Sequence, residues 1–355
     1  MQMMLKAIRT SVPILFLGYA LFVNVDIFEK GLPGTVKGDF VSGKAATSLG
    51  ALYGKAQPHR KTAVGLIGAA RYELIGEGRD GVTAGDDGWL FTDEEFDRAT
   101  PSEIKTAAGV VADVKAQLNA LGTKLVVVPV PAKIDIYRDH GGEQAGQAME
   151  DQYRAFRAAL TDEGVTTVDT RPALADAGPD PVFLTRDTHW TPQGAARVAK
   201  AVAQSGKISH GDTVFKKVPA RPKEFMGDLV SFVTTDDFAP SVGLGPERVT
   251  PYVAEEKGAE KKGIFASDDA PIDTVLVGTS YSANKSWSFV PALKIALGRD
   301  ILNLAEEGRG PVEPMNAFLS EPKLDDAPPA RVIWEFPIRY LGEPKYIDGK
   351  EAGNA

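Results

Sequence analysis

The stretch Thr274-Val275-Leu276-Val277-Gly278-Thr279-Ser280 combines a short apolar run with a turn that carries a serine. An earlier run, Leu125 to Val130, is also apolar without alternation, which is typical of a strand covered on both faces of a sheet. Helical periodicity precedes it over residues 102–121, where apolar side chains recur at three- and four-residue spacing. Helix and strand patterns continue to alternate as far as residues 331–336. This alternation predicts a three-layer α/β fold with a mainly parallel sheet.

The composition of the chain excludes several classes of protein. Its 355 residues include 40 Lys and Arg against 48 Asp and Glu, a net charge of -8, whereas nucleic-acid-binding proteins normally carry a basic field. It contains no cysteine, which excludes a cysteine nucleophile, a thiolate metal site and disulfides. With only four histidines, we expect no metal centre, and we expect no cofactor and no nucleic-acid partner.

The N-terminal segment predicts export of the rest of the chain. Lys6 and Arg9 precede the uncharged apolar run 10–25, and acidic residues follow it, an order that leaves the N-terminus in the cytoplasm. The run has 16 residues, fewer than the ~20 that a spanning helix prefers. It therefore predicts either an uncleaved signal-anchor helix or a signal peptide cleaved after the small-x-small sequence Gly18-Tyr19-Ala20. A buried N-terminal helix is the third alternative.

The chain divides into three predicted parts. Residues 1–30 are the signal anchor or signal peptide, residues 31–84 form a stalk, and residues 85–345 form the globular domain. Within that domain, about residues 205–271 are rich in Pro, Gly and Lys and carry weak strand signals. We therefore expect this segment to be a loop- and β-rich insertion.

Two segments carry the groups of an acyl-transfer reaction. Asp187 and His189 lie just before Thr191 and Pro192, which suit the cap and first turn of a helix. In an extended segment, side chains two residues apart fall on the same side, so the carboxylate reaches one imidazole nitrogen and leaves the other for a hydroxyl. A serine becomes nucleophilic when such a histidine takes its proton. Ser280 follows a strand at the sheet edge where α/β folds bind ligands.

Each of these residues alone also has an ordinary structural interpretation. An isolated Asp-x-His is more often a packing or capping pair, and a serine after a strand is usually a turn former. Ser282 is a second candidate nucleophile, two residues beyond Ser280. The backbone N–H of Ser280 is the expected oxyanion donor.

Together these segments resemble the alginate O-acetyltransferases and related exopolysaccharide acetylation proteins (AlgJ/AlgX-like), which belong to the SGNH hydrolase group. The matching segments are Asp187–Pro192, Gly278–Ser282, Gly88–Phe91, Val130–Lys133 and Val332–Phe336. They occur in the family's order, with the Asp and His before the serine. The resemblance implies an SGNH-hydrolase-like fold. The sequence departs from ordinary SGNH enzymes at Thr279, where their Gly-Asp-Ser signature has an aspartate.

Carried over by position, the resemblance implies Ser280 as the nucleophile, His189 as general base and acid, and Asp187 as the carboxylate that orients the histidine. Tyr281 is a candidate for the rim of the active site, with a core position as the alternative. Lys133 and Arg138 follow a predicted strand end and are candidates for a glycan groove, with solvated loop positions as the alternative.

The resemblance also implies partners and a location. The acceptor is an exported polysaccharide, the acetyl donor is a membrane-bound acyl carrier of the MBOAT type, and the domain lies on the periplasmic side of the inner membrane. We therefore expect an O-acetyltransferase that passes an acetyl group through Ser280. An esterase with the same triad, and a non-catalytic polysaccharide-binding or assembly protein, are the alternatives. Alginate, acetylated cellulose and other exopolysaccharides are all open as the polymer.

Overall fold

The computed structural model describes residues 2–31, 42–48, 50, 59–258, 273–322, 324 and 326–347. The N-terminal part is one helix, α1 (Gln2–Gly31). Among the described residues, no helix is both long and apolar enough to cross a membrane. The prediction of a membrane-spanning anchor is therefore not confirmed.

The rest of the described chain contains short strands and helices of very different lengths. The strands are β1 (Val82–Ala84), β2 (Leu90–Thr92), β3 (Lys124–Val130), β4 (Phe215–Pro219), β5 (Lys223–Phe225), β6 (Glu247–Val249), β7 (Tyr252–Glu256), β8 (Thr274–Val277), β9 (Leu302–Asn303) and β10 (Arg331–Pro337). The helices after α1 are α2 (Arg60–Ile75), α3 (Pro101–Ala120), α4 (Lys133–Ile136), α5 (Arg138–Gly141), α6 (Glu143–Asp162), α7 (Arg171–Ala175), α8 (Pro192–Gln204), α9 (Val230–Val233), α10 (Ser280–Ala283), α11 (Phe289–Leu297), α12 (Val312–Leu319) and α13 (Pro344–Ile347). Single 3₁₀ turns lie at Asp86–Gly88, Asp93–Glu95, Ala239–Val242, Lys285–Trp287 and Ile338–Gly342.

A four-stranded sheet in the order β3-β10-β8-β9 forms the centre of the domain. All of its pairings are parallel, which confirms the predicted mainly parallel sheet. The last strand in the chain, β10, lies between β3 and β8 and pairs with β3 along its whole length. The carboxyl ends of β8 and β10 are therefore neighbours, and side chains that follow them meet at one edge of the sheet.

Helices cover both faces of this sheet. Val127 of β3 and Trp334 of β10 point into a core that they share with α3 and α6, whereas their neighbours Val126 and Ile333 point into a second core shared with α8 and α11. This alternation follows from the period-two geometry of a strand. Because both faces are buried, the strands read as continuous apolar runs. The three-layer α/β architecture is confirmed.

The segment after residue 205 forms two small antiparallel pairs outside the main sheet. Strand β4 pairs with β7, and β5 pairs with β6. The loop between β5 and α9 leads back to the edge of the main sheet, where it contacts the segment around Asp187. The described part of this segment also contains α9 and the 3₁₀ turn Ala239–Val242, and residues 259–272 lie outside the described residues. Of the predicted stalk, residues 32–41, 49 and 51–58 lie outside the described residues, whereas α2 and β1 fall within its predicted bounds.

Candidate active site

Ser280 lies at the carboxyl edge of the sheet, as the first residue of α10 after β8. The turn before it is held by Glu335 of β10, which is fully buried. The Glu335 carboxylate accepts the Thr279 N–H at 2.8 Å, the Thr279 hydroxyl at 3.0 Å and the Ser282 hydroxyl at 3.0 Å. Gly278 passes so close to Glu335 that a Cβ there would lie 2.5 Å from the carboxylate oxygen. A buried glutamate therefore fixes the position of the serine.

Asp187 and His189 lie in a loop that is tied to the serine turn. The loop is closed by an antiparallel bridge between Phe183 and Trp190, and the Trp190 indole N–H donates to the Tyr281 carbonyl at 3.1 Å. It ends at Thr191, whose hydroxyl accepts the Gly194 N–H and caps α8. The predicted cap is confirmed, and it determines where the loop enters the helix.

The structure brings the three predicted catalytic side chains into one hydrogen-bonded series. His189 Nε2 lies 2.7 Å from Ser280 Oγ, and His189 Nδ1 lies 2.6 Å from Asp187 Oδ1. Asp187 also accepts the backbone N–H of His189 at 3.0 Å and that of Asp228 at 3.1 Å. Burial opposes ionisation of this carboxyl, but the hydrogen bond and the charge of His189 together hold the pKa of Asp187 below its ordinary value. Asp187 is therefore ionised at neutral pH.

Lys133 does not line a groove, contrary to the expectation from the sequence. Its side chain is fully buried, and Nζ donates to the carbonyls of Leu90, Thr185 and Asp187 at 2.5, 3.0 and 3.0 Å. Burial lowers the pKa of Lys133 to about 8, although Glu95 and other nearby carboxylates oppose this shift. Lys133 thus holds the backbone of the loop that carries Asp187 and His189, which we call the triad loop.

Arg138 is also part of the interior rather than of a glycan groove. Its guanidinium pairs with Asp135 at 2.7 Å and with Glu150, while Arg171 binds the same two carboxylates. Its side chain is only 16% exposed. Its guanidinium also donates to Glu143 and Gln147, so its contacts in the structure are with neighbouring protein groups, and a contact with glycan stays a prediction.

Tyr281 lies behind the triad and not on the rim of the site. It is 2% exposed, and its hydroxyl donates to the Thr188 carbonyl at 2.6 Å. The buried guanidinium of Arg339 donates to the same hydroxyl oxygen at 3.2 Å. Burial raises the pKa of Tyr281 well above its ordinary value, so the phenol stays protonated. The alternative of a core position is the one that the structure adopts.

Asp228 and Trp287 complete the site and were not found from the sequence. The Asp228 carboxylate accepts the Thr188 N–H at 2.9 Å and the Thr188 hydroxyl at 2.6 Å. The Trp287 indole stacks on the His189 ring, with centroids 5.2 Å apart. Asp228 lies in the predicted insertion, where no pattern marks one acidic residue above another. In the structure, these hydrogen bonds and the close approach of Gly227 to the Arg186 carbonyl identify this loop as part of the site.

The triad opens into a cleft of about 930 Å³. Besides Ser280 and His189, the residues that line it include Phe225, Asn284, Ser286, Trp287, Glu94, Arg339, Tyr340 and Tyr346. One potential ligand atom from each of Asp187, His189 and Asp228 lies within 4.8 Å of the other two. These three side chains are therefore close enough together to be candidate metal ligands. Both imidazole nitrogens are, however, already hydrogen-bonded to Asp187 and Ser280. A metal ion bound through His189 would have to break one of these contacts.

A parallel α/β sheet with a Ser-His-Asp hydrogen-bonded series at its carboxyl edge defines the class of the SGNH-hydrolase-like domains. Over residues 82–338 the chain matches the family described as SGNH hydrolase-like domain, acetyltransferase AlgX. The chain belongs to this family.

Two curated or solved relatives are similar over most of their length. The probable alginate O-acetylase AlgJ of Pseudomonas aeruginosa is 37% identical over 322 residues, which cover 85% of this chain and 81% of that protein. The structure of the O-acetyltransferase domain of Pseudomonas putida AlgJ is 32% identical, with a TM-score of 0.66, and covers 77% of this chain and 96% of that domain. Pseudomonas aeruginosa AlgX, 23% identical with a TM-score of 0.60 over 77% of this chain and 67% of that one, shares the fold.

Proposed function

We propose that this protein is a polysaccharide O-acetyltransferase that works through an acetyl-enzyme on Ser280. One observation carries the proposal: His189 Nε2 is 2.7 Å from Ser280 Oγ while Nδ1 is held by an ionised Asp187. This is the arrangement in which imidazole removes a serine proton. The relatives described as alginate O-acetylases support acetyl as the group and alginate as the polymer.

In the first half-reaction, Ser280 Oγ attacks the carbonyl carbon of an acetyl donor while its proton passes to His189 Nε2. The tetrahedral intermediate collapses, the bond to the donor oxygen breaks, and the imidazolium returns its proton to that oxygen. The acetyl group is now esterified to Ser280. Asp187 keeps Nδ1 protonated and stabilises the transient imidazolium. The backbone N–H of Ser280 is our proposed donor to the oxyanion.

In the second half-reaction, a polymer hydroxyl takes the place of the donor alcohol. His189 removes its proton, its oxygen attacks the acetyl carbonyl, and Ser280 Oγ leaves with the proton from the imidazolium. The exchange is chemically symmetric, so the same residues serve both directions. Water in place of the sugar would give an esterase.

We further propose that the reaction takes place in the periplasm, with an MBOAT-type membrane carrier as the acetyl donor. The predicted export of the chain and its family support this location. The domain would then meet its donor through contact with the carrier.

The proposal is tested by mixing the protein with a simple acetyl ester and a panel of neutral and uronic-acid oligosaccharides. We expect acetylated oligosaccharide to form, with more product from the uronic acids, and with mass spectrometry as the readout. Ser280→Ala should abolish both transfer and ester turnover. Ser282→Ala is the matched control for the second candidate nucleophile and should keep most of both activities, because the Ser282 hydroxyl donates to Glu335 whereas His189 Nε2 contacts Ser280.

Two results would contradict the assignment. Rapid Ser280-dependent hydrolysis with no acetylated sugar from any acceptor would favour the esterase. Undiminished turnover in Ser280→Ala would remove the enzymatic function at this site.

A further inference from the structure

Asp228 controls the direction of one hydroxyl beside the catalytic imidazole. Thr188 Oγ1 lies 3.1 Å from His189 Nδ1 and 2.6 Å from Asp228 Oδ2. An ionised carboxylate only accepts hydrogen bonds, so the hydroxyl proton of Thr188 points to Asp228. The oxygen lone pairs of Thr188 then face Nδ1. The proton on Nδ1 can therefore be donated to Asp187 and to the Thr188 oxygen.

Rotation of the Thr188 hydroxyl toward the imidazole would impair catalysis. A Thr188 hydroxyl that donated to Nδ1 would favour the tautomer with its proton on Nε2. That tautomer cannot remove the Ser280 proton, because its Nε2 is already protonated. Asp187 favours the tautomer with its proton on Nδ1, and a Thr188 hydroxyl proton that points away from the ring favours the same tautomer.

The loop that carries Asp228 is built for this contact. Gly227 lies so close to the Arg186 carbonyl that a Cβ would be 2.1 Å from its oxygen. The Asp228 backbone N–H donates to Asp187 Oδ2 at 3.1 Å, and Asp228 Oδ1 accepts the Thr188 N–H at 2.9 Å. Backbone and side chain of Asp228 thus contact consecutive residues of the triad loop.

We infer that Asp228 is a positioning residue that fixes the His189 tautomer through the Thr188 hydroxyl. The inference rests on the proposed acyl-transfer function of Ser280. It assigns to the segment after residue 205 a direct part in that function, because this segment supplies the second carboxylate of the site.

Asp228→Asn tests the inference with little change in shape. The amide oxygen would stay at the Thr188 N–H, since the amide NH₂ would meet another donor there. The NH₂ then faces Thr188 Oγ1 and turns the hydroxyl proton toward His189. We expect kcat for a simple acetyl ester to fall about 10- to 100-fold, as for a misplaced catalytic group, with little change in KM.

The decisive variant is the double substitution Thr188→Val with Asp228→Asn. Valine has no hydroxyl to misdirect, so the double variant should recover most of the activity that Asp228→Asn loses. Thr188→Val alone should stay within a few-fold of the wild-type protein. A residue that only stabilised the loop would not show this recovery, because Thr188→Val removes a further contact.

Asp228→Ala provides a second test, with the same recovery expected on adding Thr188→Val. Asp236→Asn, an exposed aspartate in the same segment, is the matched control and should leave kcat unchanged. Thermal unfolding of each variant identifies those that fold. Folded Asp228 variants as active as Asp236→Asn, or double variants no more active than the single ones, would overturn the inference. If wild-type turnover does not depend on Ser280, the proposed function itself fails instead.

Discussion

The buried ammonium of Lys133 predicts how the free energy of unfolding depends on this side chain and on pH. Replacing Lys133 by methionine keeps the length of the side chain and removes the charge. Three main-chain carbonyls, those of Leu90, Thr185 and Asp187, then lose their donor. The Asp187 carbonyl belongs to the triad loop, so we expect both stability and activity to fall.

The magnitude follows from two opposing contributions. A hydrogen bond from a charged donor contributes about 1.5–3 kcal/mol, so three of them contribute roughly 5–9 kcal/mol. Against this, the pKa of Lys133 falls from 10.5 to about 8 because the group is buried, which corresponds to a cost of about 3.4 kcal/mol for the charged form. The free energy of unfolding of Lys133→Met should therefore be roughly 1–6 kcal/mol below that of the wild-type protein near neutral pH.

The pH dependence has a definite sign. Between pH 8 and 10.5 the unfolded chain holds a proton on Lys133 that the folded chain has released, so this lysine makes folding more favourable as pH rises and less favourable as pH falls through about 8. The methionine variant lacks this contribution. The gap between the two proteins should widen by about 2 kcal/mol from neutral pH to about pH 9.5.

Urea unfolding at these two pH values measures the gap directly, and other titrating groups cancel in the difference between the proteins. A gap that stays constant, or that narrows as the pH rises, would refute the account of a buried ammonium. Lys124→Met, at an exposed lysine, is the matched control for loss of a lysine charge and should unfold with a free energy close to that of the wild-type protein at neutral pH.

Three further variants probe the site and its surroundings. Asp187→Asn removes the charge beside His189 and should lower kcat by about 10²–10⁴-fold. Single-turnover kinetics would show whether the acetylation step is the one affected, and a loss below tenfold would contradict the role of Asp187. Burial raises the pKa of Glu335 above 4.5, so the contribution of Glu335 to stability should fall as pH rises from 4.5 through the folded-state pKa. In urea unfolding, the free energy of unfolding of the wild-type protein minus that of Glu335→Gln should therefore decrease over this pH range, and a difference that stays constant would count against it. Arg138→Ala should lower the free energy of unfolding by about 1–3 kcal/mol, because the buried carboxylate of Asp135 loses a partner. The KM for the acceptor should stay unchanged, and a raised KM would instead support a contact between Arg138 and the glycan.

The layers of the fold and the three central side chains could be predicted from the sequence because they depend on local signals. Apolar runs such as Leu125–Val130 indicate buried strands, and Thr191 with Pro192 indicates a helix start. Asp187 and His189 are two residues apart, so their contact needs only a local extended segment. Their meeting with Ser280 depends on long-range topology, which the family resemblance supplied.

Lys133 and Arg138, which the sequence suggested for a glycan groove, show which features local sequence patterns do not predict. Lys133 and Arg138 carry charges, and charged side chains are almost never fully buried unless they are paired. The carbonyls that Lys133 contacts lie more than forty positions away in the chain, as that of Thr185 does. Asp135 is a local partner of Arg138, but the sequence pattern does not show that the pair joins a wider network with Glu150 and Arg171. The contact of Asp228 with Thr188 depends in the same way on how the loop after β5 folds back.

The proposed mechanism requires a covalent acetyl group on Ser280, and mass spectrometry of the protein quenched shortly after exposure to an acetyl ester tests this most directly. We expect the mass of one added acetyl group, located on the peptide that contains Ser280, and its loss on addition of acceptor oligosaccharide. Turnover without any acetyl on Ser280 at the shortest times, or an acetyl group on Ser282 instead, would contradict it.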